Sequence, residues 1–232
     1  FGQGNTWNTV VDDIYVLHQR LKQRYPDVPL CIMGHSMGSF LTRTYLIRYP
    51  GTVKAAVIMG TGWQPQAAIT GGLALANAIA AVSGENATSE LVTELAFGSY
   101  NKLFAPNRTK VDWLSADESN VDAYMADPLC GADATVGLFR QMLHGIRFNQ
   151  RQSHLRQMDR EMPVLFVAGD KDPVGSCGKG VRQTYDAFRA AGMRDCTLKL
   201  YPGLRHEILN EKAYTADITK NIEAWLLSRL EK

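Results

Sequence analysis

The sequence has no run of 18 uninterrupted apolar residues, so no membrane-crossing helix is expected. It has no basic or acidic block either. Its 25 Lys and Arg against 23 Asp and Glu leave a formal charge of +2, too weak a field to gather nucleic acid or an anionic membrane. Cysteine is sparse. Cys31, Cys130, Cys177 and Cys196 stand far apart with no C-x-x-C spacing, so free thiols in a reducing compartment are expected. Cys31 falls in an apolar stretch and is expected to act as a small core residue. Sequence alone does not pair Cys177 with Cys196.

An initiator Met and a signal-peptide layout are also missing: the chain opens Phe1-Gly2-Gln3-Gly4-Asn5. With no signal peptide visible in the sequence, the triplets Asn86-Ala87-Thr88 and Asn107-Arg108-Thr109 carry little weight as glycosylation sites. A cytoplasmic location is expected.

What is present is an ordinary globular composition, 45% hydrophobic and 21% charged. The length suits one large α/β domain or a core with an insertion. The organising stretch is Leu30-Cys31-Ile32-Met33-Gly34-His35-Ser36-Met37-Gly38-Ser39. An apolar strand over 30–33 runs into a G-x-S-x-G turn, and a helix is expected over 40–49. That strand–turn–helix setting is what a nucleophile elbow requires. A serine thrust from a sharp turn has strained backbone, and small neighbours let strand and helix approach. Gly34 and Gly38 are expected to be those neighbours. The helix N-terminus behind Ser36 aims N–H groups at any oxyanion formed there, with Met37 N–H as the expected donor.

Upstream, residues 8–25 read as a helix with Val10, Ile14, Leu17 and Leu21 on one face. A second strand at 53–59 completes a βαβ unit. Residues 63–148 hold no good strand, only helical stretches at 73–82, 91–100, 121–125 and 135–146. Their aromatics, Phe97, Tyr100, Phe104, Trp113, Tyr124 and Phe139, read mainly as a small core, with some facing the mouth of a site. The α/β pattern then resumes. It gives a strand at 164–168, a helix at 181–191 capped by Gly192, a strand at 197–201 and a helix at 215–230. In the last helix Ile218, Ile222, Trp225, Leu226 and Leu230 face inward. The expected division is a core at 1–62, a helical cap at 63–150 and a core at 151–232.

Catalytic groups of open α/β sheets sit beyond the carboxyl ends of strands. Ser36, Asp172 and His206 each follow a strand, in the order Ser–Asp–His. His206 would take the serine proton and return it to the leaving group. Asp172 would fix the imidazole tautomer and stabilise the imidazolium. Asp170 is the rival acid, but it comes straight off Gly169, where a turn aspartate is common. Asp172 lies two residues further on, with Pro173 stiffening the loop behind it. His18, His144 and His154 stand in helical context and read as structural or exposed. Glu207 reads as a solvent-side neighbour or a partner for the loop.

Three motifs carry a family resemblance: Gly34-His35-Ser36-Met37-Gly38-Ser39, Gly169-Asp170-Lys171-Asp172-Pro173-Val174 and Tyr201-Pro202-Gly203-Leu204-Arg205-His206-Glu207. With Asp112-Trp113-Leu114-Ser115 and Asp127-Pro128-Leu129-Cys130-Gly131, the chain resembles the serine hydrolases grouped as monoacylglycerol lipases and bacterial lysophospholipase-like enzymes. The resemblance implies an α/β-hydrolase fold, a mostly parallel sheet flanked by helices with a helical cap. It implies hydrolysis of glycerol or glycerophospholipid esters through an acyl-enzyme, with no cofactor and no metal. The partner would be a small acyl ester, and the cap leaves room for transient contact with a membrane or micelle. Such enzymes carry several strands and a His-Gly loop ahead of this chain's first helix, and the loop supplies a second oxyanion donor. The sequence holds no such segment, so a further stretch on the order of 60–80 residues is expected upstream of Phe1.

Two other readings stay open. An aminopeptidase of the same fold would need a carboxylate cluster for the substrate amine, and Glu85, Glu90, Glu94, Asp117 and Glu118 are available. A non-catalytic small-molecule binding protein is the other, and the presence of all three triad residue types argues against it.

Overall fold

A computed structural model describes residues 4–230. Phe1, Gly2 and Gln3, part of the unusual start noted above, lie outside the described residues. The first helix, α1 (Thr6–Arg24), begins at Asn5, whose side chain accepts the Asn8 N–H as an N-cap. Its covered face is shorter than expected. Trp7 and Val11 are buried, and Val10 and Ile14 pack on the core, but Leu17 and Leu21 are exposed. The N-terminal half carries the firmest anchor: Trp7 Nε1 donates to Thr44 Oγ1 at 2.9 Å. Periodicity shows which face of a helix is apolar, not how far along that face a neighbour reaches.

Four strands form one parallel sheet in sequence order: β1 (Cys31–His35), β2 (Ala55–Met59), β3 (Val164–Gly169) and β4 (Cys196–Tyr201). Every residue of β2 and β3 is buried, as expected of strands covered on both faces. Alternation divides them between two cores. Ala56, Ile58, Val164 and Phe166 face α2 (Met37–Arg48) and α8 (Lys179–Ala190). Val57, Met59, Leu165 and Val167 face α9 (Thr215–Leu230) through Ile218 and Ile222.

Among the described residues β1 pairs with β2 alone. It stands at the sheet edge, and its Cys31 and Met33 are exposed. Cys31 is therefore not the core residue expected of it. All four cysteines are free.

Helices fill the chain between β2 and β3: α3 (Gln66–Ser83), α4 (Glu90–Lys102), α5 (Glu118–Ala126), α6 (Val136–Asn149) and α7 (Gln152–Leu155), with a 3-10 turn at Asp112–Leu114. The only extended pairing described there is an isolated bridge from Thr88 to Thr135. By length and composition α3 is apolar enough to cross a membrane, and little of it is buried. Thr70 and Asn77 break its apolar run without adding charge, which a test for uninterrupted runs overlooks. In this fold α3 packs beside α6. Asn149, at the end of α6, holds that layer to α2 by donating to the Phe40 carbonyl at 2.8 Å and accepting from Thr44.

Candidate active site

The elbow is built from one tight glycine. A Cβ on Gly34 would collide with the Gly38 carbonyl and with Thr42 Oγ1. Gly38 itself has open space where a side chain would go. The expected symmetry between the two glycines is therefore corrected: Gly34 yields room, and Gly38 contributes its backbone. Between them Ser36 has φ 54° and ψ −122°, a strained conformation for a residue with a side chain. The turn is held by Ser36 N–H donating to the Met59 carbonyl at 3.1 Å and by Ser39 Oγ donating to the Ser36 carbonyl at 2.6 Å. α2 starts at Met37, so the Met37 and Gly38 N–H groups have no helical partner and remain available beside the serine, while Ser39 N–H donates to the Ser36 carbonyl at 2.9 Å.

The acid loop leaves β3 at Gly169, where a Cβ would collide with the Leu204 and Arg205 carbonyls. That glycine lets the acid and histidine loops lie against each other. Asp172 is fully buried. Its Oδ1 accepts Val174 N–H at 2.9 Å, and its Oδ2 lies 3.0 Å from His206 Nδ1. Asp170 points elsewhere, its Oδ1 accepting Gly203 N–H at 2.8 Å. The structure thus brings Asp172, not Asp170, to His206.

His206 is 3% exposed and touched by two further rings. His35 lies 4.5 Å away between centroids and Trp113 5.2 Å, both tilted near 40°. His35 Nε2 lies 3.0 Å from the His206 carbonyl oxygen. A carbonyl only accepts, so His35 donates from Nε2. Burial, with His206 adding to it, holds the His35 pKa below its ordinary value. Gly60, at φ 57° beyond the end of β2, leaves space for both rings: a Cβ there would sit 3.1 Å from His206 Cε1 and from His35.

The segment between β2 and β3 grips the histidine loop. Arg205 donates to the Asp112 and Ser115 carbonyls, and Glu207 N–H donates to the Leu114 carbonyl at 2.8 Å. Glu207 accepts from Asn120 and Asn210; of its two expected roles, solvent-side neighbour or loop partner, these bonds match the second. Glu211, 3% exposed, accepts the Ala116 and Asp117 N–H groups at 2.8 and 3.0 Å.

A cavity of about 530 Å³ opens above the elbow. Ser36 and Met37 line it together with Phe40, Leu75, Phe97, Tyr100, Trp113 and Met142. Most of the remaining wall is also apolar. Among the described residues no Asp or Glu lines it. Glu85 is instead paired with Arg140, and Glu94 with Lys102. Burial, with the Asp172 charge adding, pushes the Tyr100 phenol up to about 12. The sequence-selected aromatics divide: Phe97, Tyr100, Trp113 and Phe139 wall the cavity, Phe104 lies under Arg205, and the Tyr124 hydroxyl accepts Gly131 N–H. His144 is exposed, and His154 contacts the Phe148 carbonyl.

Sequence reasoning missed His35, Gly60, Arg205 and Glu211. Gly60 carried a signal. A glycine just past the strand between the serine and acid strands marks a place where something must pass closely.

Over residues 1–213 the chain matches the family described as Serine aminopeptidase, S33. It is 31% identical over 225 residues to a monoacylglycerol lipase of Mycolicibacterium smegmatis, covering 95% of this chain and 70% of that protein. It is 26% identical over 243 residues to a monoglyceride lipase of Mus musculus, covering 99% and 71%. Among solved structures, a thermostable carboxyl esterase from Bacillus coagulans in complex with glycerol superposes with a TM-score of 0.89 at 23% identity, covering 98% of this chain and 73% of that one. The Paleococcus ferrophilus monoacylglycerol lipase gives 0.70 at 18% identity, covering 96% and 76%. At such identities the solved structures speak to the fold.

Proposed function

The chain belongs to the Serine aminopeptidase, S33 family and is a carboxylic ester hydrolase of the α/β-hydrolase fold, similar to monoacylglycerol lipases; from that premise we propose that it cleaves monoacylglycerol or lysophospholipid-like esters through a Ser36-His206-Asp172 triad. The carrying observation is the buried Asp172–His206 pair beside a serine that walls an apolar cavity.

In this mechanism Ser36 Oγ attacks the ester carbonyl as His206 Nε2 takes its proton. Asp172 holds Nδ1–H and offsets the positive charge that then forms on the ring. The carbonyl oxygen gains the negative charge and faces Met37 N–H. His206 returns the proton to the departing alkoxide, which leaves as an alcohol. Water then attacks the acyl-enzyme by the same route and frees the acid and Ser36.

The apolar cavity wall favours an acyl chain, and the lack of a lining carboxylate among the described residues favours an ester over an aminopeptidase substrate. The residues of 63–150 would act as the cap. The exposed Val82, Leu91 and Leu95, next to the apolar α3, support transient contact of that cap with a membrane or micelle. The free cysteines fit a cytoplasmic enzyme.

A fluorophosphonate probe tests the reading. It is expected to label the protein at Ser36 and to label His206→Ala far more slowly. No labelling, or labelling that His206→Ala leaves unchanged, overturns the triad. A panel of p-nitrophenyl esters, monoacylglycerol, lysophospholipid and an aminoacyl anilide tests the substrate. Faster turnover of the anilide than of every ester would assign an aminopeptidase instead.

A further inference from the structure

We propose that His35 is a positioning residue for His206, setting the height of the histidine loop over Ser36 through its Nε2–H bond to the His206 carbonyl. The inference rests on the triad reading above. Asp172 fixes only one atom of the His206 side chain, Nδ1. A ring held at one atom still swings with its backbone. The backbone restraint comes from two directions. Arg205 and Glu207 on either side of His206 are tied to the cap. The carbonyl of His206 itself is tied to His35 at 3.0 Å.

His35 suits this task because it is the last residue of β1 and immediately precedes Ser36. The nucleophile and the prop for its base therefore share one rigid piece of backbone. Any shift of the elbow carries both. The neighbouring ring contact, at 4.5 Å, is possible because Gly60 presents no side chain between the two imidazoles.

The protonation state matters as well. When His206 accepts the serine proton, it becomes a cation against the His35 ring, and a neutral His35 tolerates that where a charged one would oppose it. The groups facing His35 are His206 and Glu207 from the histidine loop and Asp172 from the acid loop, while Gly60 adds no charge from β2. Arg205 is turned to the cap carbonyls. Burial and His206 favour the neutral ring; the bond to the His206 carbonyl, Asp172 and Glu207 oppose them, and burial is the largest effect.

Two substitutions isolate the bond. Gln at position 35 carries an amide nitrogen near the place of imidazole Nε2; Asn carries one too short to reach. His35→Asn is expected to lower kcat by about ten- to a hundredfold, with KM changed by less than about twofold. His35→Gln is expected to recover most of that loss. Equal kcat in wild type and His35→Asn overturns the proposal, as does a His35→Gln variant no better than His35→Asn. A measurement on the unaltered protein covers the case in which a variant does not fold. Nitrogen-15 NMR is expected to show His35 protonated at Nε2 and bare at Nδ1 at neutral pH; a His35 protonated at Nδ1 alone overturns the proposal. Fluorophosphonate separates this inference from the one beneath it. Absence of labelling in wild type removes the triad. Labelling of wild type and His35→Asn at one rate removes the role of His35 and leaves the triad standing.

Discussion

Arg205 Nη1 donates to the Ser115 carbonyl oxygen at 3.0 Å across 90 residues of chain. It also donates to the Asp112 carbonyl, and its guanidinium lies 4.0 Å over the Phe104 ring. The residue preceding His206 is thus fastened to the segment that carries Trp113, which itself touches the His206 ring. The Asp112–Ser115 segment and the histidine loop are one mechanical unit at this point.

Arg205→Ala should therefore lower both stability and turnover. Losing a charged donor that serves two carbonyls costs about 1.5–3 kcal/mol, read by urea unfolding. Arg205→Lys should recover only part of the loss: both carbonyls are served by one nitrogen, Nη1, which an ammonium can imitate, but an ammonium does not stack on Phe104 as a planar guanidinium does. A Lys variant with wild-type stability and kcat would show that charge alone suffices.

Glu211 offers a second check on the same junction. Its two oxygens accept one N–H each, from Ala116 and Asp117. Glu211→Gln replaces one acceptor with a donor that faces another donor, leaving a buried mismatch worth about 1–3 kcal/mol. The expected result is a lower denaturation midpoint with an unchanged m-value. An unaffected midpoint would mean that the junction bears no load.

Gly34→Ala tests the elbow. The added Cβ meets the Gly38 carbonyl and Thr42, of which the first is backbone and cannot swing away. Overpacking of this kind costs about 1–3 kcal/mol or more, and the turn that aims Ser36 should distort. Gly38→Ala, with open space at its Cβ, should be milder in both soluble yield and probe labelling. Equal damage from the two would contradict the asymmetry of the elbow.

The depressed pKa of His35 makes a prediction about pH. Below 6.5 the unfolded chain protonates His35 while the folded chain resists until its own lower pKa is passed. The unfolded state binds more protons in that window, so stability rises with pH through it and is lost as pH falls below 6.5. His35→Gln removes this contribution. Between about pH 7.5 and about pH 5, wild type should lose more stability than the variant. His18 and His144, whose pKa values burial also lowers, are common to both proteins and cancel in the difference. Identical losses would show that His35 takes its proton as easily folded as unfolded.

Tyr100 is the cavity residue best suited to discriminate leaving groups. With its phenol pushed up to about 12, it remains a hydrogen-bond donor at any ordinary assay pH. Tyr100→Phe should reduce kcat/KM for monoacylglycerol, whose alcohol carries free hydroxyls, more than for a p-nitrophenyl ester of the same acyl length. A difference of about five- to tenfold corresponds to one hydrogen bond. Equal effects on both substrates would reduce Tyr100 to a packing role.

The strand ends carrying Ser36, Asp172 and His206 are legible in the sequence because each follows an apolar run closed by a turn, and local patterns mark such places. The α/β architecture follows from the same alternation. Partnership is what local pattern does not encode. His35 and His206 are 171 positions apart, and nothing near either names the other. Leu17, Leu21 and Cys31 fail for a related reason. An apolar residue announces a wish to be covered, but whether another element lies over it is decided elsewhere in the chain. The full apolar length of α3 is hidden because Thr and Asn interrupt an apolar run as plainly as Lys would, yet cost far less out of water.

The parallel order of the sheet also sets a clock. Parallel strands cannot meet through a tight hairpin, and here each waits for an intervening helix, with five helices placed between β2 and β3. Asp172 and His206 stand 34 residues apart on the loops that follow β3 and β4, and His35 and His206 stand 171 apart. Contacts of such separation slow folding, because a long loop must be closed before they contribute. Reactivity of Ser36 toward a covalent probe after dilution from denaturant would therefore date the final closure of the chain, lagging behind the return of helix and of buried tryptophan.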